Sequence, residues 1–205
     1  VVEQSNNMQQ DNQSNQDQPE GNSNLAGENF DERVEGEVKI YSNFSRGIQF
    51  AYNKSWQAER QERSQNPDNL SFSNLPEGDS LDFSILLGPA GISGELETLK
   101  KEKNNNGFRY EIMRHLGFVD NIINTEEGKE RTEFVYLIIR HSVNDQFQGM
   151  FYTGSYYLCV YSFPVSKGES YLNQVFSELE TIAKSFNYLY NDPYSVKLPS
   201  GKKLS

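Results

Sequence analysis

The spacing of apolar residues predicts a series of strands followed by one amphipathic helix. Residues 134–139 and 156–164 are nearly continuous apolar runs bounded by turn residues, as in strands covered on both faces. Beyond them, apolar residues recur at helical spacing, which predicts a helix over residues 171–188 with Ser170 as its N-cap. The apolar stripe consists of Leu172, Val175, Phe176, Leu179, Ile182, Ala183 and Phe186. We expect this stripe to pack on the sheet.

The first half of the chain contains shorter strand patterns. Ile48, Phe50 and Tyr52 alternate with Gln49, Ala51 and Asn53, the period of a strand with one buried face, and Trp56 follows a polar turn. Further strands are predicted at 38–40, 70–72, 81–87 and 118–124. The charged residues 58–65 predict a loop, and residues 149–152 a short strand. Residues 108–113 fit a helix and a strand equally well.

A second helix is predicted between residues 93 and 103. Ser93 is a possible N-cap, and Glu95 and Glu97 would favour the positive end of the helix dipole. Lysines follow, and the polar run 104–107 would end the helix. Strands and helices together predict an α+β fold with an antiparallel sheet flanked by helices.

Composition divides the chain into three parts. Twelve of the first 24 residues are Asn or Gln, too polar a composition to offset the entropy lost on ordering the backbone. We therefore predict a disordered, acidic tether at residues 1–36, one α+β domain at 37–190 and a tail at 191–205.

Charge excludes one class of partner. Residues 1–38 contain nine acids and one base, and the whole chain has a formal net charge of −10. Because no basic stripe is present, nucleic acid is a poor partner on electrostatic grounds. The acidic residues 28–37 are the best place for a weak calcium site.

Cysteine and hydropathy narrow the chemistry further. Cys159 is the only cysteine, which excludes an intramolecular disulfide and a cysteine-rich zinc site. No apolar run approaches the roughly 20 residues that span a bilayer. The chain begins Val-Val-Glu-Gln, and we expect that it has been trimmed, either by processing of a precursor or by the choice of the expressed boundaries.

The order of these elements resembles the PsbP-like family. The first matching feature is residues 47–56, where a glycine, an alternating strand and a turn are followed by Trp. The second is the set of strands 132–141, 149–152 and 156–164. The third is the closing helix, which ends Ala183-Lys184-Ser185-Phe186. This resemblance implies an α/β/α sandwich. It also implies a bacterial protein of the cell envelope, secreted or anchored as a lipoprotein, because bacterial members similar to this chain are of that kind. The family also includes an extrinsic photosystem subunit and a nuclear relative that binds a small GTPase, but their contact residues have no match here.

Two enzymatic hypotheses can be drawn from the residues. His115 and His141 could join Glu133 or Asp145 around a metal, but their spacing does not require it and zinc enzymes usually use three protein ligands. A hydrolase could use Glu133, Asp145 and His141 as acid and base. Neither set has a recognisable motif, so we expect no metal, no cofactor and no catalytic residues.

Aromatic residues give the alternative, a binding surface. Tyr152, Tyr156, Tyr157 and Trp56 could form an exposed recognition face, since Tyr supplies contact area at low entropic cost. The simpler interpretation is a core covered by the helix. We predict a non-enzymatic, extracytoplasmic binding or assembly-accessory domain on a flexible tether, with a protein partner at the cell envelope and membrane contact only through an N-terminal lipid anchor.

Overall fold

The computed structural model describes residues 30–61, 66–87, 92, 94–116, 119–125, 128–141 and 155–189. Its strands form two antiparallel sheets. The small sheet has the order β1-β2-β3-β12, with β1 at Phe30–Glu35, β2 at Val38–Asn43, β3 at Ile48–Asn53 and β12 at Asn187–Tyr188.

The large sheet has the order β4-β5-β6-β11-β10-β8-β7, and β9 pairs with the first part of β10. Its strands are β4 (Gln57–Arg60), β5 (Leu70–Ser73), β6 (Ser80–Leu87), β7 (Leu96–Lys103), β8 (Phe108–His115), β9 (Val119–Thr125), β10 (Gly128–His141) and β11 (Ser155–Pro164). A 3₁₀ turn, Val165–Lys167, leads from β11 into the helix α1, Gly168–Ser185. The α+β class is confirmed.

The predicted apolar stripe of α1 faces the sheets. Leu172, Val175, Leu179, Ile182 and Ala183 are buried, whereas Phe176 is only partly buried. α1 starts at Gly168 after Lys167, and no side chain caps it, so the prediction that Ser170 is the N-cap was wrong. The helix also ends earlier than predicted, because residues 187–188 pair with β3 as β12.

Phe186, directly after α1, is the centre of the aromatic core. Its ring is fully buried, and its centroid lies 4.5 Å from that of Tyr157, 4.9 Å from Phe108 and 6.1 Å from Phe50. One residue therefore joins α1 to both sheets, since Phe50 belongs to β3 and Tyr157 to β11.

Asn104 fixes the C-terminal end of α1. Its side-chain amide donates to the carbonyl oxygens of Ala183 and Phe186 at 2.8 and 2.9 Å. Its side-chain oxygen accepts from the backbone N–H groups of Asn106 and Phe108 at 3.0 Å each. A buried amide with all these partners satisfies helix carbonyls that would otherwise lack donors.

The second predicted helix is instead the edge strand β7. Residues 96–103 pair with β8 across the turn at 104–107, where Gly107 has φ +90°. Asparagine followed by a glycine in the left-handed conformation is typical of a β-hairpin turn. The prediction that residues 104–107 end a helix was therefore wrong. The undecided segment 108–113 is the partner strand β8.

One predicted domain boundary and one predicted loop also differ from the observed structure. Residues 30–35 are strand β1 rather than tether, because Phe30 is buried and its ring stacks 6.3 Å from that of Tyr41. Residues 58–60, predicted as the start of a loop, belong to β4, which pairs with β5. Residues 1–29, the predicted strand 149–152 and the predicted tail 191–205 lie outside the described residues.

Candidate functional site

A cleft of about 320 Å³ lies between α1, the turn that joins β3 to β4 and the loop that joins β5 to β6. Its lining comes from the end of β3, the turn before β4, the loop after β5, strand β11 and the middle of α1. The lining residues are Asn53, Ser55, Trp56, Asn74, Leu75, Pro76, Tyr161, Gln174, Val175 and Glu178. This volume is at the lower end of the range typical of small-ligand sites, about 300–1,000 Å³.

Buried aromatic and aliphatic side chains form the inner wall. Trp56 and Tyr161 are 3% and 2% exposed, and their ring centroids lie 6.1 Å apart. Val175 of α1 is also buried. The Trp56 position is fixed by its backbone, because its carbonyl accepts from Lys39 Nζ at 2.7 Å and its N–H donates to the Asn53 carbonyl at 3.1 Å.

Polar side chains form the rim and tie the β3–β4 turn to the helix. Asn53 Nδ2 donates to Glu178 Oε1 at 2.9 Å, and Asn53 Oδ1 accepts from the Ser55 backbone N–H at 3.0 Å and from the Ser55 hydroxyl at 2.8 Å. On the opposite rim, Asn74 has φ +59°, a left-handed conformation that asparagine tolerates better than most residues. This conformation turns the chain after β5 and brings Leu75 and Pro76 to the cleft.

Asp79 braces the wall behind Tyr161. Its side chain is fully buried, and it accepts from the Tyr161 hydroxyl at 2.7 Å, from the Tyr171 hydroxyl and from Lys167 Nζ at 2.6 Å. Burial, followed by the hydrogen bond to Asp79, raises the pKa of both tyrosines. Tyr161 therefore stays neutral with its hydroxyl committed to Asp79, and it offers the cleft only its ring.

Three polar groups of the cleft lack a complete set of partners among the described residues. Glu178, which is half-buried, accepts one hydrogen bond, from Asn53, and has no basic partner there. Within the same residues the indole N–H of Trp56 donates to no acceptor, and the exposed amide of Gln174 is unbonded. Glu178 and the indole N–H of Trp56 are therefore available to a ligand or to ordered water, whereas the amide of Gln174 is exposed to solvent.

The predicted exposed aromatic surface is not formed by the described residues. Trp56 lines the cleft but is almost completely buried, and Tyr157 packs in the core with Phe83 and Phe186. Tyr156, which precedes Tyr157 in β11, points to the other face of the sheet and is 9% exposed. Tyr152 lies outside the described residues. The simpler interpretation, a helix-covered core, holds for Tyr157.

The residues of the hydrolase hypothesis are not brought together in the part of the chain that the structure describes. Glu133 lies beside Arg114, with Oε1 2.6 Å from Nε, and burial raises the pKa of this carboxyl while Arg114 opposes the rise. His141 is the last residue of β10, and Asp145 lies outside the described residues. Arg114 also bonds Glu169 of α1 through Nη1 at 2.8 Å, which explains Glu133 as one side of an ion-pair cluster.

Among the described residues, the candidate metal ligands His115 and Glu133 do not form a metal site. His115 packs against Tyr136, with ring centroids 6.4 Å apart, and against Gly94, where a Cβ atom would lie 2.2 Å from Nε2. Within the described ranges no group of three or more His, Cys, Asp or Glu side chains is placed to hold a metal ion. In the acidic stretch 28–37, Glu35 pairs with Arg33 and Glu37 with Lys54. The same ranges include no helix that is long and apolar enough to cross a membrane.

Comparison with known proteins gives a distant structural likeness. No family model and no curated protein matches the chain. Among solved structures, the chain is similar to the Ran-binding protein Mog1p of Saccharomyces cerevisiae, with a TM-score of 0.44 and 11% identity over 74% of this chain and 95% of that chain. At this level of similarity, the α+β class rests on the strands and helix described above.

Sequence reasoning singled out Trp56 but missed the other residues of the cleft. Asn53 and Ser55 were recognised only as turn residues, although a polar turn next to the lone Trp was a usable signal. Gln174 and Glu178 lie one helical turn apart beside the apolar stripe, a spacing too common on solvated helices to indicate a site. The cleft could not be assembled without the pairing of distant strands.

Proposed function

We propose that this chain is a non-enzymatic binding domain and that the cleft beside Trp56 is its binding site. The observation that carries the proposal is the convergence of two polar groups on one cleft that also has aromatic and aliphatic side chains in its wall. Within the described residues, the half-buried Glu178 carboxylate accepts a single hydrogen bond and the indole N–H of Trp56 has no acceptor. Concave sites that combine apolar side chains with a few well-placed polar groups are typical of ligand recognition.

The chemistry of the lining favours binding over catalysis. Glu178 is the only carboxylate among the lining residues, and the Tyr161 hydroxyl is held by Asp79. The Ser55 hydroxyl donates to Asn53 rather than to a base. General acid–base catalysis usually needs two titratable groups with separated pKa values within reach of the substrate, and the lining supplies one.

The location of the domain remains part of the proposal. The Asn- and Gln-rich, acidic composition of residues 1–29 and the resemblance to bacterial PsbP-like proteins favour a domain displayed outside the cytoplasm on a spacer, with a protein partner at the cell envelope. Fractionation of cells that express the complete precursor tests this part. Recovery in the cytoplasmic fraction would contradict it.

A fluorescence screen tests the binding site. Trp56 is the only tryptophan, so its emission reports on the cleft without labelling. The screen should contain capped dipeptides, monosaccharides and small amines, and we expect at least one class to shift the emission with a saturable dose response.

Two matched variants show where the ligand binds. Gln174→Tyr places a bulky ring at an exposed position that lines the cleft, whereas Asn173→Tyr places the same ring at the exposed neighbouring position. The response should disappear in Gln174→Tyr and persist in Asn173→Tyr. An equal response in both variants, no response to any class, or turnover of a responding compound would overturn the proposal.

A further inference from the structure

The three carboxylates of α1 differ in their partners. Glu169 bonds Arg114, with Oε1 2.8 Å from Nη1. Glu180 bonds Lys100 and also Lys184, with Oε2 3.0 Å from Nζ. Glu178 has no cationic partner among the described residues, although it is half-buried in the cleft wall. Two of the three acids on one helix are neutralised within the fold, and the third is left for something outside it.

The single hydrogen bond at Glu178 orients it without neutralising it. Asn53 Nδ2 donates to Oε1 at 2.9 Å, and Asn53 is itself held by two hydrogen bonds from Ser55. Oε1 is thus fixed by a neutral donor, and Oε2 has no partner among the described residues. A half-desolvated carboxylate held in this way gains most from a cationic donor.

The other residues that line the cleft indicate which chemical groups the uncharged part of the ligand contains. None of the described residues of the lining is basic, and Glu178 is the only one of them with a formal charge. Leu75, Pro76 and Val175 offer aliphatic contacts suited to a methylene stem. The indole N–H of Trp56 has no acceptor within the described residues, so it is available to donate to an acceptor such as a peptide carbonyl.

We propose that the cleft binds a lysine or arginine side chain of a polypeptide partner, with the cation at Glu178. The inference rests on the proposed function, because it names the ligand class of the same cleft. A donor at Trp56, available to a carbonyl in addition to a cation at Glu178, favours a residue within a peptide over a free amine. The aliphatic part of the side chain lies against Leu75, Pro76 and Val175.

Three small probes separate the contributions of charge and carbonyl groups. N-acetyl-lysine-N-methylamide has both, N-acetyl-norleucine-N-methylamide has the carbonyls and an uncharged stem, and n-pentylamine has the cation without carbonyls. Titrations followed by Trp56 emission should show that the lysine probe binds at least about fivefold more tightly than the norleucine probe. It should also bind more tightly than n-pentylamine.

A variant without the charge of Glu178 tests whether this carboxylate causes the preference for the lysine probe. Glu178→Gln keeps an oxygen that accepts from Asn53 and removes the charge, so the preference for lysine over norleucine should fall below about twofold. Glu97→Gln is the matched control, because Glu97 is exposed on the edge strand β7 and does not line the cleft. It should keep the wild-type preference. Independently of any variant, added salt should weaken the lysine probe more than the norleucine probe.

Each failure has a separate meaning. If the norleucine probe binds the wild-type cleft as tightly as the lysine probe, the cleft is a binding site without a charge requirement, and the inference falls while the proposed function stands. If n-pentylamine equals the lysine probe, the polypeptide assignment is wrong. If none of the three probes and no compound of the wider screen changes Trp56 emission, both proposals fall.

Discussion

The C-terminal end of α1 and its middle treat polar groups in opposite ways. At the C-terminal end, Asn104 bonds four backbone groups, and the Ser185 hydroxyl accepts from the Ala51 N–H at 2.8 Å and donates to the Thr181 carbonyl at 2.7 Å. In the middle, Gln174 and Glu178 face a cleft with most of their hydrogen-bonding capacity unused by the described residues. One helix can therefore stabilise the fold at one end and remain available for a ligand along its side.

The largest expected effect is at the core beside the C-terminal end. Phe186→Ala should lower the free energy of unfolding by about 3–5 kcal/mol, because it empties a site enclosed by rings of both sheets. Urea denaturation measures this loss. Phe44→Ala is the control, since Phe44 is 40% exposed, and it should change stability by less than about 0.5 kcal/mol. Similar losses for the two variants would refute the central position of Phe186.

The second prediction concerns the side-chain amide nitrogen of Asn104, which donates hydrogen bonds at the C-terminal end of α1. Asn104→Asp replaces a buried amide donor by an oxygen that faces the carbonyls of Ala183 and Phe186, and we expect a loss of about 2–3 kcal/mol at neutral pH. Asn105→Asp makes the same chemical change at the exposed neighbouring residue and should be nearly neutral. Equal thermal midpoints for both variants would show that Asn104 does not fix the helix end.

A smaller effect is expected at the paired carboxylate Glu180. The hydrogen bond from Lys100, aided by Lys184, lowers the pKa of Glu180 below its ordinary value of 4.5, so the fold is stabilised when this carboxyl is ionised. This contribution is complete above the unfolded-state pKa and is lost as the pH falls through the folded-state pKa. Glu180→Gln should therefore lower the thermal midpoint by about 1–3 °C at neutral pH and by less in acid. A difference that grows on acidification would contradict the assigned direction.

The smallest effect is expected at the open carboxylate. Glu178→Gln should change the free energy of unfolding by less than about 0.5 kcal/mol, because the variant keeps the acceptor for Asn53 and breaks no ion pair known in the described residues. Chemical denaturation of this variant beside Glu180→Gln makes the test. A larger loss at Glu178 than at Glu180 would mean that Glu178 serves the fold and would break the contrast between the two parts of the helix.

Local periodicity was sufficient for the strongest elements of the fold. The stripe of α1 and the strands around residues 48–53, 81–87, 132–141 and 156–164 were predicted close to their observed bounds. The bounds of α1 shifted because pairing with β3 captured residues 187–188 as a strand, a tertiary effect that the helical pattern does not contain.

The errors lie where a partner strand decided the structure. Residues 96–103 have a charge pattern suited to a helix, but the Asn-Gly turn that follows pairs them with β8. Residues 30–35 are polar apart from Phe30 and Val34, and their strand depends on the full register with β2. The cleft was beyond prediction for the same reason, since its residues come from four separate parts of the chain.

Because Cys159 is buried, the rate at which its thiol is chemically labelled can report transient opening of the core. This only cysteine is completely buried in β11, opposite Phe83 of β6 and Leu137 of β10, and burial raises the pKa of its thiol. Because the side chain of a strand residue projects from the face of the sheet, a thiol reagent can reach Cys159 only when the residues packed over that face move away. Where reclosing is faster than the reaction, the labelling rate is proportional to the fraction of molecules whose core is open at this face, so chemical modification at one atom counts the rare openings of the core.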